Sequence, residues 1–332
     1  MGKIIKIVLI IALVSVLLLI GGCAAILGIM DYRNKNYYKY ATPGGDIEAK
    51  YTSLGSYEVD YTEFDAESDV WKKYVVFYPS EMTDSNKTYP MVIMANGTGV
   101  KASQYKEVLE HLASWGFIVV GNEDDHSKTG ASSAATLDFM LKQNEVTDSI
   151  FHGKIDVENI GIAGHSQGGV GALNAVTEQE NGNMYKAIWA ASTTSRYHAD
   201  ELNKSGEGWT CYPSKIGVPV MMVAGTKTMD AGNMNEYTAT LSEGEAQGIC
   251  PLWWLEECYN AIPDGVPKII ARQTDKDHGD MLRTADGYMT AWFMYHLKDD
   301  AEAGKAFFGE DAEMLNNDKW QDVKASKGDE QQ

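Results

Sequence analysis

Three residue types in this chain have the identity and order that nucleophilic chemistry needs: a serine between glycines, then an aspartate, then a histidine. Ser166 stands in GIAGHSQGGVGALNAV, residues 161–176, which contains a G-x-S-x-G match. With 32 glycines in 332 residues the bare match carries little weight. Its surroundings carry more. The apolar run ENIGIAG precedes the serine, and Val170, Leu173 and Val176 then recur at helical spacing. A serine held at a sharp strand-to-helix turn needs small residues two before and two after it, and Gly164 and Gly168 fill those positions. The helix that follows would aim its N–H groups and positive dipole end at charge developing beside the serine.

A serine hydroxyl needs a base, and the base needs an orienting acid. His278, in DKDHGDM after the run PKIIARQT, is the candidate base. Asp230, five residues after the last glycine of VPVMMVAG, is the candidate acid, with Asp264 the next choice. The order Ser, Asp, His, with each member just beyond a strand, matches the chain order of one large hydrolase fold. An oxyanion hole needs two backbone donors. The N–H of Gln167, directly after the serine, is one candidate. The N–H of Thr98, in the loop of MVIMANGTGV, is the other, with Gly97 second. Gly97, Trp209, Trp253 and Trp254 are the candidate substrate contacts, the tryptophans reading either as an apolar wall or as packing inside the insertions. Of the other histidines, His165 in the elbow and His296 on a terminal helix are expected to pack rather than react.

The elements that must position these residues follow from periodicity. YEVDYTEFD and VWKKYVVFYPS alternate and read as antiparallel neighbours at a sheet edge. The nearly continuous apolar runs 91–95, 117–121, 160–164, 187–191, 218–225 and 267–271 read as strands buried on both faces. YKEVLEHLASW, SSAATLDFMLKQ, the segment after Ser166 and a long amphipathic helix in DMLRTADGYMTAWFMYHLK separate or follow them. The serines of SSAATLDFMLKQ suit an N-cap. Strand and helix thus alternate from about residue 91 to 298. The expected fold is α/β, a mostly parallel central sheet with helices on both faces, with insertions at 193–216 and 226–265 over the site. The expected organisation is an anchor or signal segment at 1–30, a tether at 31–50, one domain at 51–323 and a disordered tail at 324–332.

On SLGSYEVDYTEF, YPMVIMANGTG, LASWGFIVV, GIAGHSQGG, VPVMMVAGTKTMD, DKDHGDML and YMTAWFMYHLKDD, the chain resembles the α/β-hydrolase superfamily. Within it, the resemblance is to the cutinase-like, polyester-hydrolase and chlorophyllase-like serine esterases, from about Tyr51 to Val323. The resemblance implies a carboxylic ester hydrolase with Ser166, Asp230 and His278 as its triad and no cofactor. An amidase or peptidase of the same fold, and a non-catalytic binding protein on that scaffold, are the rival readings.

Charge and composition bound the partners. The formal net charge is −19, which repels nucleic acid and anionic membrane surfaces and favours neutral or cationic partners. The expected substrate is a small-molecule, lipid or polymer ester, with no protein partner and no nucleic acid. Lys3 and Lys6 precede an uncharged run from Ile7 to Met30. It reads either as a single membrane anchor or as a lipoprotein signal ending at Ile20-Gly21-Gly22-Cys23, with Cys23 the lipidated residue and the lipid reading slightly favoured. Either way the protein is expected at the extracytoplasmic face of the cell membrane. Cys211, Cys250 and Cys258 show neither C-x-x-C spacing nor a zinc pattern; a Cys211–Cys250 disulfide and three reduced thiols both stay open, and no metal is expected. The run Glu123-Asp124-Asp125-His126 reads as a solvated charged loop, with a cation site as the alternative.

Overall fold

The computed structural model describes residues 22, 25–204, 206 and 208–328. Cys23 and most of the apolar N-terminal run lie outside the described residues. The chain divides into two compact units, 1–41 and 42–332. In the first, 25–35 is helical and exposes Ile26, Leu27, Ile29 and Met30. No described helix is long and apolar enough to cross a membrane.

The second unit is built on a sheet of nine strands: β1 (Val59–Asp65), β2 (Lys73–Pro79), β3 (Tyr89–Ala95), β4 (Ile118–Asn122), β5 (Ile155–His165), β6 (Tyr185–Ala191), β7 (Val220–Gly225), β8 (Lys268–Gln273) and β9 (Trp320–Ser326). Their order across the sheet is β1-β2-β4-β3-β5-β6-β7-β8-β9. From β4 to β8 all neighbours are parallel; β1–β2, β2–β4 and β8–β9 are antiparallel. The expected antiparallel edge pair is therefore present. Every residue of β3, β4 and β7 is buried, which is why these segments are apolar without alternation. Each such valine, isoleucine or methionine contributes about 1.5–3 kcal/mol by leaving water. Six longer helices pack on the two faces after α1 (Asp46–Thr52): α2 (Lys106–Ser114), α3 (Ala131–Glu145), α4 (Gln167–Thr177), α5 (Arg196–Lys204), α6 (Leu252–Ala261) and α7 (Asp286–Lys298).

Four expectations need correction. The tether was drawn to residue 50, but α1 belongs to the domain, and its Tyr51 is fully buried. Its N-terminus is capped from far along the chain: the Glu313 carboxylate accepts the N–H groups of Ile47 and Glu48 at 2.6 and 2.8 Å. That partner is 265 residues away and leaves no local signal. The tail was drawn from 324, but β9 continues to Ser326, where it pairs with Lys268. The amphipathic helix near the C-terminus is two pieces, Met281–Thr284 and α7, and α7 is buried without interruption from Asp286 to Phe293. Finally, α3 begins at Ala131 after Gly130 in the left-handed region (φ 76°), and Ser132 and Ser133 are buried inside its first turn rather than capping it.

Cys211, Cys250 and Cys258 are free thiols. Burial raises the pKa of all three, so they act as small packing residues rather than nucleophiles.

A buried ion pair ties three helices together. His111 of α2 and Asp286 of α7 are fully buried, with Nδ1 and Oδ2 2.8 Å apart, and His111 Nε2 meets the Thr52 and Ser53 carbonyls at the end of α1, each at 3.0 Å. Burial pulls the imidazole pKa down, but Asp286 and the two carbonyls outweigh it, and the net shift is upward. A raised histidine pKa stabilises the fold fully below the unfolded value, near 6.5, and the contribution is lost as pH rises through the folded value. Asp286→Ala is expected to cost about 3–5 kcal/mol by leaving the imidazole unpaired. Urea unfolding at pH 6 and pH 9 is expected to show wild-type stability falling over that interval, and the fall shrinking in His111→Gln. An equal fall in both would remove the pair as its source.

Candidate active site

The parallel ladder decides where loops meet. β3 sends the chain to β4 on one side, while β5 lies on the other, so the strand order reverses between β3 and β5. Open α/β sheets bind ligands at such a point, beyond the carboxyl ends of the strands. Here the two ends are level: Ala95 pairs with Gly164, and His165 pairs with Ala191 of β6. The loop after β3, residues 96–99, therefore lies against the turn after β5. A Cβ added to Gly97 would come within 3.2 Å of the His165 carbonyl and 3.4 Å of Ser166 Cβ.

That turn is the strained elbow read from the sequence. Ser166 has φ 61° and ψ −125°, in the half of backbone space that L-residues avoid. The two flanking glycines permit it by contact rather than by torsion. A Cβ on Gly164 would lie 2.0 Å from the Gly168 carbonyl, and one on Gly168 would lie 2.1 Å from the Ala95 carbonyl. Any side chain at either position would force β3, the elbow and α4 apart.

Around Ser166 the other two predicted residues assemble. His278 Nε2 is 2.9 Å from Ser166 Oγ, and His278 Nδ1 is 2.8 Å from Asp230 Oδ1. Asp230 is fully buried and His278 nearly so. The second oxygen of Asp230 accepts from Ser192 Oγ at 2.6 Å and from the Gly225 N–H at 2.7 Å, so the carboxylate is buried with both oxygens satisfied. Asp230 lies in the short helix Thr228–Ala231 after β7, and His278 in the loop after β8; the two strands end level, with Gly225 paired to Gln273. Asp264, the alternative acid, is exposed and pairs with Lys268 instead.

The two candidate oxyanion donors are also placed at the elbow. Gln167 is the first residue of α4, where an N–H has no acceptor within the helix. The N–H of Thr98 has no acceptor among the described residues, although its neighbours do: Gly99 N–H donates to Asp125 O at 3.0 Å and Val100 N–H to Gly97 O at 3.2 Å. Asn96 anchors this loop from below. Its amide donates to the Asn122 and Asp124 carbonyls at 2.7 and 2.6 Å, and its Oδ1 accepts from the Tyr105 hydroxyl. A hydroxyl, an imidazole and a carboxylate in one line of hydrogen bonds can activate the hydroxyl as a nucleophile, and two unpaired N–H groups beside it can hold an oxyanion.

Further side chains support these groups. His165 packs its ring 4.7 Å from that of His278 and donates Nε2–H to the His278 carbonyl at 2.7 Å. Burial, with the neighbouring His278 adding to it, lowers the His165 pKa to about 4, so the ring is a neutral donor. Ser192, Asn96 and Asp277 gave no signal of their own in the sequence; only the fold brings Ser192 and Asp277 against Asp230 and sets Asn96 at the base of the 96–99 loop.

The tryptophans separate. Trp209 and Trp254 line a cavity of about 290 Å³ with Thr194, Cys211 and Tyr212. It adjoins the elbow and α4 through Thr194, whose N–H lies 3.4 Å from the Ser166 carbonyl, through Val170, which packs on Trp209, and through Thr210, whose carbonyl accepts from the Asn174 amide at 2.7 Å. Trp253 is buried and donates its indole N–H to Gln247 at 2.9 Å. The Glu123–His126 loop is tied up internally: Glu123 accepts from Ser103, and Asp125 pairs with His126 at 2.7 Å. Among the described residues no group of His, Cys, Asp or Glu side chains is arranged to hold a metal.

A family model described as PETase, PET hydrolase-like, matches residues 42–202, which includes Ser166 and the 96–99 loop and ends before Asp230 and His278. The chain is 27% identical over 233 residues to cutinase est1 of Thermobifida alba, covering 68% of this chain and 65% of that protein. It is 30% identical over 105 residues to bis(hydroxyethyl) terephthalate hydrolase of Streptomyces coelicolor, covering 30% of this chain and 32% of that one. Cutinase est2 of Thermobifida alba is 28% identical over 154 residues, 45% of this chain and 46% of its own length. The chain thus spans less than two thirds of each of these relatives. Fold and matches together support one class for it, the cutinase-like and polyester-hydrolase-like α/β-hydrolases.

Proposed function

We propose that this protein is a serine hydrolase of carboxylic esters. The observation that carries the reading is His278 standing between Ser166 Oγ at 2.9 Å and Asp230 Oδ1 at 2.8 Å. The names of the matched relatives, two cutinases and a terephthalate ester hydrolase, favour an ester over an amide.

In the proposed reaction, Ser166 Oγ attacks the ester carbonyl as His278 Nε2 takes its proton. Asp230 keeps the other ring nitrogen protonated and offsets the imidazolium charge. The N–H groups of Gln167 and Thr98 hold the tetrahedral oxyanion. Collapse breaks the bond to the alkoxy oxygen, which takes the proton from His278 and leaves as an alcohol. Water, deprotonated by the same imidazole, then attacks the acyl-enzyme and releases the acid with the serine restored. The net charge of −19 favours neutral esters over anionic ones. Trp209 and Trp254, beside the nucleophile helix, are the side chains proposed to meet the apolar part of the substrate.

Ser166→Ala is expected to lower kcat on p-nitrophenyl acyl esters by about 10⁴-fold or more and to abolish labelling by a fluorophosphonate probe, with an unchanged melting temperature. Comparable turnover by the variant would remove the nucleophile. Run over graded acyl lengths, the wild-type kcat/KM is expected to vary with chain length; a flat profile would remove the apolar wall.

The proposal includes export and retention at the membrane, supported by Lys3 and Lys6 before an uncharged run from Ile7 to Met30 that contains Cys23. Intact mass of protein extracted from membranes tests it. Loss of residues 1–22 with added acyl mass is expected for lipidation, and the full Met1–Gln332 mass for a retained anchor. Recovery of the protein only from the soluble cytoplasmic fraction would remove both.

A further inference from the structure

We infer that Asp277 is a positioning residue that sets the distance between the acid and the base of the site; the inference rests on the esterase reading above. Asp230 and His278 reach each other through side chains, but their backbones belong to different loops, after β7 and after β8. One atom joins those backbones. Asp277 Oδ1 accepts the N–H of Asp230 at 3.0 Å and the N–H of His278 at 2.9 Å. A single carboxylate oxygen with two lone pairs thus pins both residues from behind, while their side chains meet at 2.8 Å in front.

The surroundings hold the clip itself. The Asp277 N–H donates to Asp280 Oδ2 at 3.0 Å. The neighbouring Lys276 carbonyl accepts the N–H groups of Thr226 and Lys227, each at 2.9 Å. A Cβ on Gly225 would lie 2.3 Å from that carbonyl and 3.0 Å from Asp277 Cα, so the loops after β7 and β8 are in direct contact just where the acid must face the base. His165 then fixes the opposite side of His278 by donating to its carbonyl. His278 is therefore held at its backbone N–H by Asp277, at its carbonyl by His165 and at its ring by Asp230, and Asp277 also holds the backbone of Asp230.

What the clip needs is an acceptor oxygen at Oδ1, and Asn supplies one where Ala does not. In purified full-length protein, Asp277→Ala is expected to lower kcat on a p-nitrophenyl ester by about 10–100-fold with KM little changed, the scale of a small misplacement of catalytic groups. Asp277→Asn is expected to recover most of that loss. A second reading needs no substrate: the low-field proton NMR signal of the Nδ1–H between His278 and Asp230, expected in wild type and Asp277→Asn and weakened or lost in Asp277→Ala. If Asp277→Ala does not fold, Asp277→Ser, which shortens the side chain and moves its acceptor, is read in the same assays. Wild-type kcat in a folded Ala or Ser variant, or an Asn variant as impaired as Ala at equal melting temperature, would overturn the inference. Should Ser166→Ala still turn over esters, the esterase reading falls, and the proton signal alone still judges Asp277.

Discussion

Everything at this site depends on a backbone that an L-residue resists. Ser166 sits at φ 61° because β5 ends and α4 begins with no room for a gentler turn. Backbone of this kind costs about 1–3 kcal/mol and persists only where its surroundings over-determine it. Here they do. The chain enters from a buried strand, leaves into a buried helix, and is pressed from the side by the Ala95 carbonyl across Gly168. The turn places Oγ beyond the carboxyl end of β5, 2.9 Å from His278 Nε2, and starts α4 at Gln167, whose N–H has no acceptor within the helix, so one conformational constraint serves both the nucleophile and half of the oxyanion site proposed above.

The remaining parts are placed by strand register. β3 and β5 end level, as do β7 and β8. A parallel sheet with level carboxyl ends puts its following loops in one plane, and that plane holds Thr98, Ser166, Ser192, Asp230 and His278. The hydrogen bonds among these groups are individually modest, because each replaces a bond to water. Their value lies in direction. Asp230 spends one oxygen on His278 and the other on Ser192 and Gly225, so it cannot rotate away.

The rigid support extends well behind the chemistry. Asn96 holds the loop that carries Thr98, and His165 holds the base by its carbonyl. Farther off, the His111–Asp286 pair locks α2 and α7 beneath the end of α1. The insertions over the site are of another kind. They pack through Arg196 stacked 3.8 Å over Tyr237 and through the buried tryptophans, and their cavity adjoins the elbow and α4 through Thr194, Val170 and Thr210.

Much of this was legible in the chain itself. Apolar runs without alternation marked the buried strands, because only a strand covered on both faces can be apolar throughout. Small residues around Ser166 marked the elbow, because a Cβ there would collide with backbone. The order of serine, aspartate and histidine, each after a strand, marked the three side chains that the fold brings into one line of hydrogen bonds. Tertiary structure alone decided the rest. Glu313 caps a helix 265 residues upstream, Asp277 accepts from two loops at once, and Lys324 to Ser326 pair as a strand in a segment whose composition reads as a tail. All three tryptophans are buried, and only the fold decides that Trp209 and Trp254 line a cavity while Trp253 bonds to Gln247. The division has one physical cause. Periodicity and steric demand act between near neighbours and leave a mark on local sequence, whereas a hydrogen bond between distant loops asks only for one suitable atom, which any of many residues could provide.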